Sequence, residues 1–197
     1  MFDDVYAPDY WDRAGKNTNY YAILSADKYR VPDVFWACAP DVEVMLALKP
    51  TDVFLDVGCG FGRVAFHVAD KVAKCYSVDY SNEMIWRARE FSKKSSNEFT
   101  KNNGKDLVEF SNDTFDIVHT TLMFQHVSKL TIFDYLREFA RVMKKDGKVF
   151  AYGIPRDDKY ANGVTLNEVE TLCNKLFKKS TVITTPSYYT ILAEGKK

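Results

Sequence analysis

A chain of 197 residues is the length of one domain and can bury a sizeable core. Its 27 basic residues balance 27 acidic ones, so no electrostatic footprint for nucleic acid or an anionic membrane is present. The four cysteines (Cys38, Cys59, Cys75 and Cys173) are scattered, with neither zinc-ligand spacing nor a disulfide framework. A reducing, cytoplasmic setting without a metal is the expectation.

The N-terminus, Met1-Phe2-Asp3-Asp4, lacks the apolar core of a signal peptide. No apolar run approaches the roughly 20 residues of a membrane-spanning helix. Residues 1–30 show little periodicity but are crowded with aromatics: Tyr6, Tyr10, Trp11, Tyr20, Tyr21 and Tyr29. They suit either the wall of a small-molecule pocket or a plug over the core. Val34 to Leu48 reads as a helix interrupted by Pro40 and closed by Pro50.

From Val53 the pattern changes to alternating strands and helices. The expected elements are Val53–Val57, Val64–Val72, Cys75–Val78, Glu83–Ser92, a weak strand near Asn97–Asn102, Ile117–Thr121, Ile132–Met143 and Lys148–Gly153. Such alternation argues for a parallel sheet covered by helices. A polar loop after Pro155 leads to a helix over Thr165–Phe177. Two β-rich runs follow, Ser180–Thr184 and Tyr188–Ala193, split by Thr185-Pro186-Ser187.

The most informative stretch is Val53-Phe54-Leu55-Asp56-Val57-Gly58-Cys59-Gly60-Phe61-Gly62-Arg63, a strand running into a glycine turn and a helix N-terminus. Free N–H groups at such a turn welcome an anionic or polar ligand. The spacing Gly58-x-Gly60-x-Gly62 departs from the dinucleotide pattern G-x-G-x-x-G, because Arg63 stands where the third glycine of that pattern falls. Asp79 ends the next strand, about 20 residues beyond the turn, where a carboxylate can accept both hydroxyls of a ribose. A solvated loop residue is the plainer alternative. Thr120 lies at the C-terminal end of a later strand, the edge at which open α/β sheets place their ligands.

This glycine turn, together with Asp56, resembles motif I of the class I S-adenosylmethionine (SAM) methyltransferases, written L-D-x-G-C-G-x-G. The likeness continues through Val78-Asp79-Tyr80-Ser81-Asn82-Glu83-Met84, then Asn112-Asp113-Thr114-Phe115-Asp116-Ile117-Val118, then Leu122-Met123-Phe124-Gln125-His126-Val127. It closes with Glu138 to Phe150, where Lys145-Asp146 replace the usual Pro-Gly. It spans roughly residues 40–155, with the motifs in order. The implied fold is a Rossmann-like, seven-stranded, mostly parallel sheet with helices on both faces and an antiparallel last strand. It would form a single domain over 1–197, with a cap segment 1–48 and a core 49–197.

The resemblance further implies SAM as cofactor, S-adenosylhomocysteine (SAH) as product, and cofactor contacts from Asp56, Gly58, Cys59, Gly60, Asp79, Tyr80, Met84, Asn103, Gly104 and Thr120. Many relatives carry an Asp for the adenine amino group where this chain has Asn103; an Asn-Gly turn is the alternative there. His126 becomes the candidate general base, since its unperturbed pKa lies near neutrality; a packing or hydrogen-bonding role at a helix start is its alternative. Tyr20, Tyr21 and Arg30 are candidates for the acceptor side. Motifs for methylation of DNA bases are missing: Thr120-Thr121-Leu122-Met123 is not an Asn/Asp-Pro-Pro-Tyr/Phe motif, and no Pro-Cys dipeptide occurs. A small-molecule acceptor, with no nucleic acid and no membrane as partner, is therefore the expectation. A nicotinamide-dependent oxidoreductase and a non-catalytic SAM-binding protein stay open as alternatives, and oligomeric state is not legible.

Overall fold

The computed structural model describes residues 8–16, 46–92, 96–155, 163–186 and 188–197. Tyr20, Tyr21, Arg30, Cys38 and most of the expected helix Val34–Leu48 lie outside them. The described residues fall into two compact units that part between Lys101 and Asn102.

The first unit holds α1 (Pro8–Lys16), β1 (Val53–Val57), α2 (Arg63–Val68), β2 (Lys74–Asp79), α3 (Asn82–Phe91) and β3 (Asn97–Lys101). β1 pairs parallel with β2 from Val53↔Lys74 to Val57↔Val78, and β2 pairs parallel with β3 from Cys75↔Asn97 to Asp79↔Lys101. Along β1 the residues from Phe54 to Val57 are buried in sequence rather than alternately, the pattern of a parallel strand covered on both faces. Helix α2 is shorter than its apolar pattern promised and stops at Val68. Ser81 caps α3 by accepting the Met84 N–H at 3.1 Å.

α1 escaped the periodicity reading. It opens with Pro8, carries Asp9 in its first turn and Arg13 and Lys16 in its last, and sets Tyr10, Trp11, Ala14 and Gly15 on one face, a stripe too short to stand out in the sequence. Its Asp12 carboxylate accepts from the Ser81 hydroxyl and from the Glu83 N–H, so α1 reinforces the cap of α3.

The second unit holds β4 (Phe115–Thr121), a 3-10 turn (Phe124–His126), α4 (Lys129–Val142), β5 (Met143–Pro155), α5 (Leu166–Leu176), β6 (Phe177–Thr184) and β7 (Tyr188–Lys196). β4 and β5 are parallel, while β7 runs antiparallel to both β5 and β6. The sheet has seven strands in the order β3-β2-β1-β4-β5-β7-β6, so the antiparallel strand is the last in the chain.

β5 starts five residues before the expected Lys148. The register jumps from Phe115↔Met143 to Ile117↔Lys148, so the strand takes up Lys144 to Gly147 as an irregularity instead of a free turn. Gly147 sits where a Cβ would come within 3.0 Å of the Asp116 carbonyl oxygen, which explains a glycine there. Thr165 and Glu168 form a reciprocal capping box at the start of α5.

Arg141 ties the loop before β4 to α4. It holds the Glu138 carboxylate through two bonds of 2.7 Å and donates to the Leu107 carbonyl, the Phe110 carbonyl and Asn112 Oδ1, each at 2.9 Å. This pairing pulls the Glu138 pKa below its ordinary value. Substituting Arg141→Met should cost about 2 kcal/mol, the scale of charge-assisted bonds at a partly exposed site. Amide exchange over residues 107–112 should quicken with it; unchanged exchange would mean the loop stands without Arg141.

Candidate active site

The glycine turn leaves β1 with its hydrogen bonds still on β2. The Gly58 and Cys59 N–H groups both donate to the Val78 carbonyl, at 2.9 and 3.0 Å. At Gly60 and Gly62 the chain adopts φ 53° and 76°, which side-chain-bearing residues enter only at a cost. The buried Gly60 then points its N–H at Asp79 Oδ2, 2.9 Å away, across the tips of the two strands. Asp79 Oδ1 accepts the Ser81 N–H at 2.9 Å. One carboxylate therefore clasps the glycine turn and the start of α3.

An ionised carboxylate has about four acceptor positions. The Gly60 and Ser81 N–H groups take two and the Tyr80 N–H also bears on the group, which leaves acceptor capacity for a ribose hydroxyl. Burial raises the Asp79 pKa to about 6; the N–H groups of Ser81 and Gly60 oppose that rise, and the negative charge of Asp56 adds to it. Asp56 itself is buried on β1. Two carboxylates at this turn fit a cofactor that carries both a ribose and positive charge. Cys59 is buried and its thiol is pushed well up, chiefly by that burial, so its part in the turn is the backbone and not nucleophilic chemistry.

Other expected positions fare differently. Tyr80 is exposed beside Asp79, with Lys101 Nζ 6.0 Å from its ring centre. Met84 is 1% exposed: its side chain is buried and its N–H serves the Ser81 cap. Thr120 is likewise fully buried, paired with Ala151 in the sheet. His119 stacks on Phe150 at 5.4 Å, inside the packing.

Asn103 spends its amide on its own loop. Its Oδ1 accepts the Lys105 and Asp106 N–H groups, at 2.8 and 3.1 Å, and its Nδ2 donates to Asp106 Oδ1. With both acceptor positions engaged, the oxygen has none for an adenine amino group, and the Asn-Gly turn accounts for the residue. Gly104 follows at φ 73°, its N–H on Asn102 Oδ1. The buried amide of this segment is Asn102, whose Nδ2 donates to the Tyr135 hydroxyl at 3.2 Å. Its partner lies on α4, far along the chain, so no local signal marks it.

His126 ends the 3-10 turn after β4. Burial lowers its pKa to about 4, so the ring is neutral at physiological pH. Its Nε2 lies 3.0 Å from Gln125 Nε2, and Gln125 Oε1 accepts the Tyr188 hydroxyl at 2.9 Å. Among the described residues no three His, Cys, Asp or Glu side chains gather as metal ligands, and no helix is long and apolar enough to cross a membrane.

A glycine turn after a central parallel strand, with an acid at the tip of the next, defines an α/β protein that binds an adenosine cofactor at the carboxyl ends of its strands. Residues 55–151 match the family model of a methyltransferase domain. Solved structures agree on the fold. A SAM-dependent methyltransferase from Mesorhizobium loti is 14% identical, with a TM-score of 0.64 over 79% of this chain and 96% of its own. The PH0226 protein of Pyrococcus horikoshii is 22% identical, with a TM-score of 0.69 over 90% and 98%. Phosphoethanolamine N-methyltransferase 1 of Haemonchus contortus, in complex with phosphoethanolamine and SAH, is 12% identical, with a TM-score of 0.75 over 96% of this chain and 48% of its own. The chain carries a class I SAM-dependent methyltransferase domain and is an enzyme whose cofactor is SAM.

Proposed function

We propose that the enzyme methylates an O, N or C atom of a small-molecule acceptor. The observation that carries the cofactor half is the Asp79 clasp, with acceptor capacity left on its carboxylate. Three features support a small acceptor: the even balance of 27 basic and 27 acidic residues, the missing nucleic-acid motifs, and the likeness to a methyltransferase whose structure holds phosphoethanolamine. Tyr20, Tyr21 and Arg30 stay candidates for the acceptor side, within the single domain read over 1–197. Three buried free cysteines, Cys59, Cys75 and Cys173, support a reducing, cytoplasmic setting.

SAM, when bound, supplies a methyl group on a sulfonium. The protein's share is to bind, align and keep water out. Gly58, Gly60 and Asp79 would hold the cofactor. An acceptor that must lose a proton needs a base, and His126 is the candidate for it; its ring is neutral at physiological pH, while burial, which holds its pKa to about 4, weakens it as a base. Replacing His126 with Gln should then lower kcat roughly 10²-fold for a hydroxyl acceptor. A loss of only a few-fold would assign His126 to packing.

The acceptor class is tested by incubating the protein and labelled SAM with a cell extract. Label in the low-mass fraction, lost in the Asp79→Ala variant, is the expected result. Label confined to precipitated protein or nucleic acid would overturn the small-molecule reading.

A further inference from the structure

Three bonds hold Ser81, and two of them lead away from its own helix. Its N–H donates to Asp79 Oδ1 at 2.9 Å, on the carboxylate that clasps the glycine turn. Its hydroxyl accepts the Met84 N–H at 3.1 Å and donates to Asp12 Oδ1. Chemistry sets the direction of that last bond, because an ionised carboxylate only accepts. Asp12 Oδ1 also accepts the Glu83 N–H at 3.2 Å. A residue of α1 thus serves the open N–H groups at the N-terminus of α3, where negative charge is favoured.

The rest of α1 is fitted to this contact. Gly15 is buried against Glu83, and a Cβ on it would lie 2.6 Å from Glu83 Cγ, inside contact distance. At the end of α1, Arg87 Nη2 of α3 donates to the Lys16 carbonyl at 3.3 Å. Arg87 also pairs with Glu83 one turn earlier, at 3.3 Å. α1 is therefore fastened, at Asp12 and at Lys16, to the helix that starts beside Asp79. Ser81 is 1% exposed, so losing Asp12 would strand its hydroxyl as a buried donor.

We propose that Asp12 and Ser81 are positioning residues for the cofactor. Asp12 fixes Ser81, Ser81 fixes Asp79, and Asp79 receives the ribose. Seating of α1 and binding of the cofactor then strengthen each other by the same factor, as coupled equilibria must. This coupling rests on Asp79 holding the ribose, as assigned above.

Calorimetric titration of the full chain with SAH tests the coupling through a double-variant cycle. Asp12→Ala should weaken SAH binding roughly tenfold, within the usual range of coupling between sites. Asp12→Asn keeps an acceptor oxygen for Ser81 and Glu83 and should recover most of that loss. Ser81→Ala should weaken SAH binding too, and the double variant should lose less than the product of the single losses, since both break one link. Amide exchange supplies a readout that a packing role would not move. Saturating SAH should slow exchange at the Glu83 N–H and across α1 in the wild type, and should protect α1 far less in Ser81→Ala. Wild-type affinity in Asp12→Ala, or losses that multiply in full, would overturn the inference. So would α1 exchange in the wild type that ignores SAH, a result that needs no variant to fold. Asp79→Ala separates the two readings. Weakened SAH binding there, with Asp12→Ala unaffected, defeats the positioning role alone; an unaffected Asp79→Ala defeats the ribose assignment and the coupling with it.

Discussion

Replacing Asp79 with alanine should weaken SAH binding by about 3 kcal/mol, roughly 150-fold, on the scale of two charge-assisted hydrogen bonds. The change removes the carboxylate that would accept from the ribose and also releases the Gly60 and Ser81 N–H groups that shape the turn. Asp79→Asn keeps one acceptor oxygen and should lose less. The wild type should also show a pH dependence of definite sign. Its carboxyl titrates near pH 6, and only the ionised form accepts from both ribose hydroxyls. SAH affinity should be level above that pH and fall about tenfold per unit below it, while Asp79→Asn stays flat.

The same shift acts oppositely on the ligand-free fold. A carboxyl raised from 3.8 to about 6 contributes stability that is full below 3.8 and is lost as the pH rises through about 6. Ligand-free Asp79→Asn should therefore melt above the wild type at pH 7. A lower melting temperature for that variant would mean that the two N–H bonds outweigh the burial of the charge.

Gly62→Ala should destabilise the fold by about 2–5 kcal/mol, summing a left-handed backbone on a non-glycine residue and an overpacked neighbour. At φ 76° the new Cβ would lie 2.9 Å from Phe99 Cε1, 3.1 Å from its Cζ and 3.3 Å from the Ala88 Cβ. Phe99 is 5% exposed on β3, so its ring would have to shift within the core. Urea unfolding measures the loss. The double variant Gly62→Ala with Phe99→Leu should recover the packing part and leave the backbone part. Wild-type stability in the single variant would contradict the close contact of β3 with the turn.

What the sequence made legible was local. The turn and the Asp79 offset both depend on spacing within a few residues of a glycine or a strand end, and spacing can be read from a string. The two β-rich runs split by Thr185-Pro186-Ser187 were readable for the same reason, while their antiparallel pairing came from the family resemblance.

What stayed hidden depends on partners distant in sequence. Asp12 supports Ser81 from a nine-residue helix whose apolar stripe is too short to stand out, and Tyr188 reaches Gln125 from the last strand. Met84 and Thr120 stand at family positions, yet the fold buries them, which no motif reveals. Asn103 reads as a stand-in for an adenine-binding acid until its loop is seen to use its oxygen twice.

Calorimetric titration of the full chain with SAH, and separately with NAD, tests most directly whether the glycine turn and Asp79 hold the adenosine of SAM. The account predicts saturable one-to-one binding of SAH and no heat from NAD. Binding of NAD with none of SAH would contradict it.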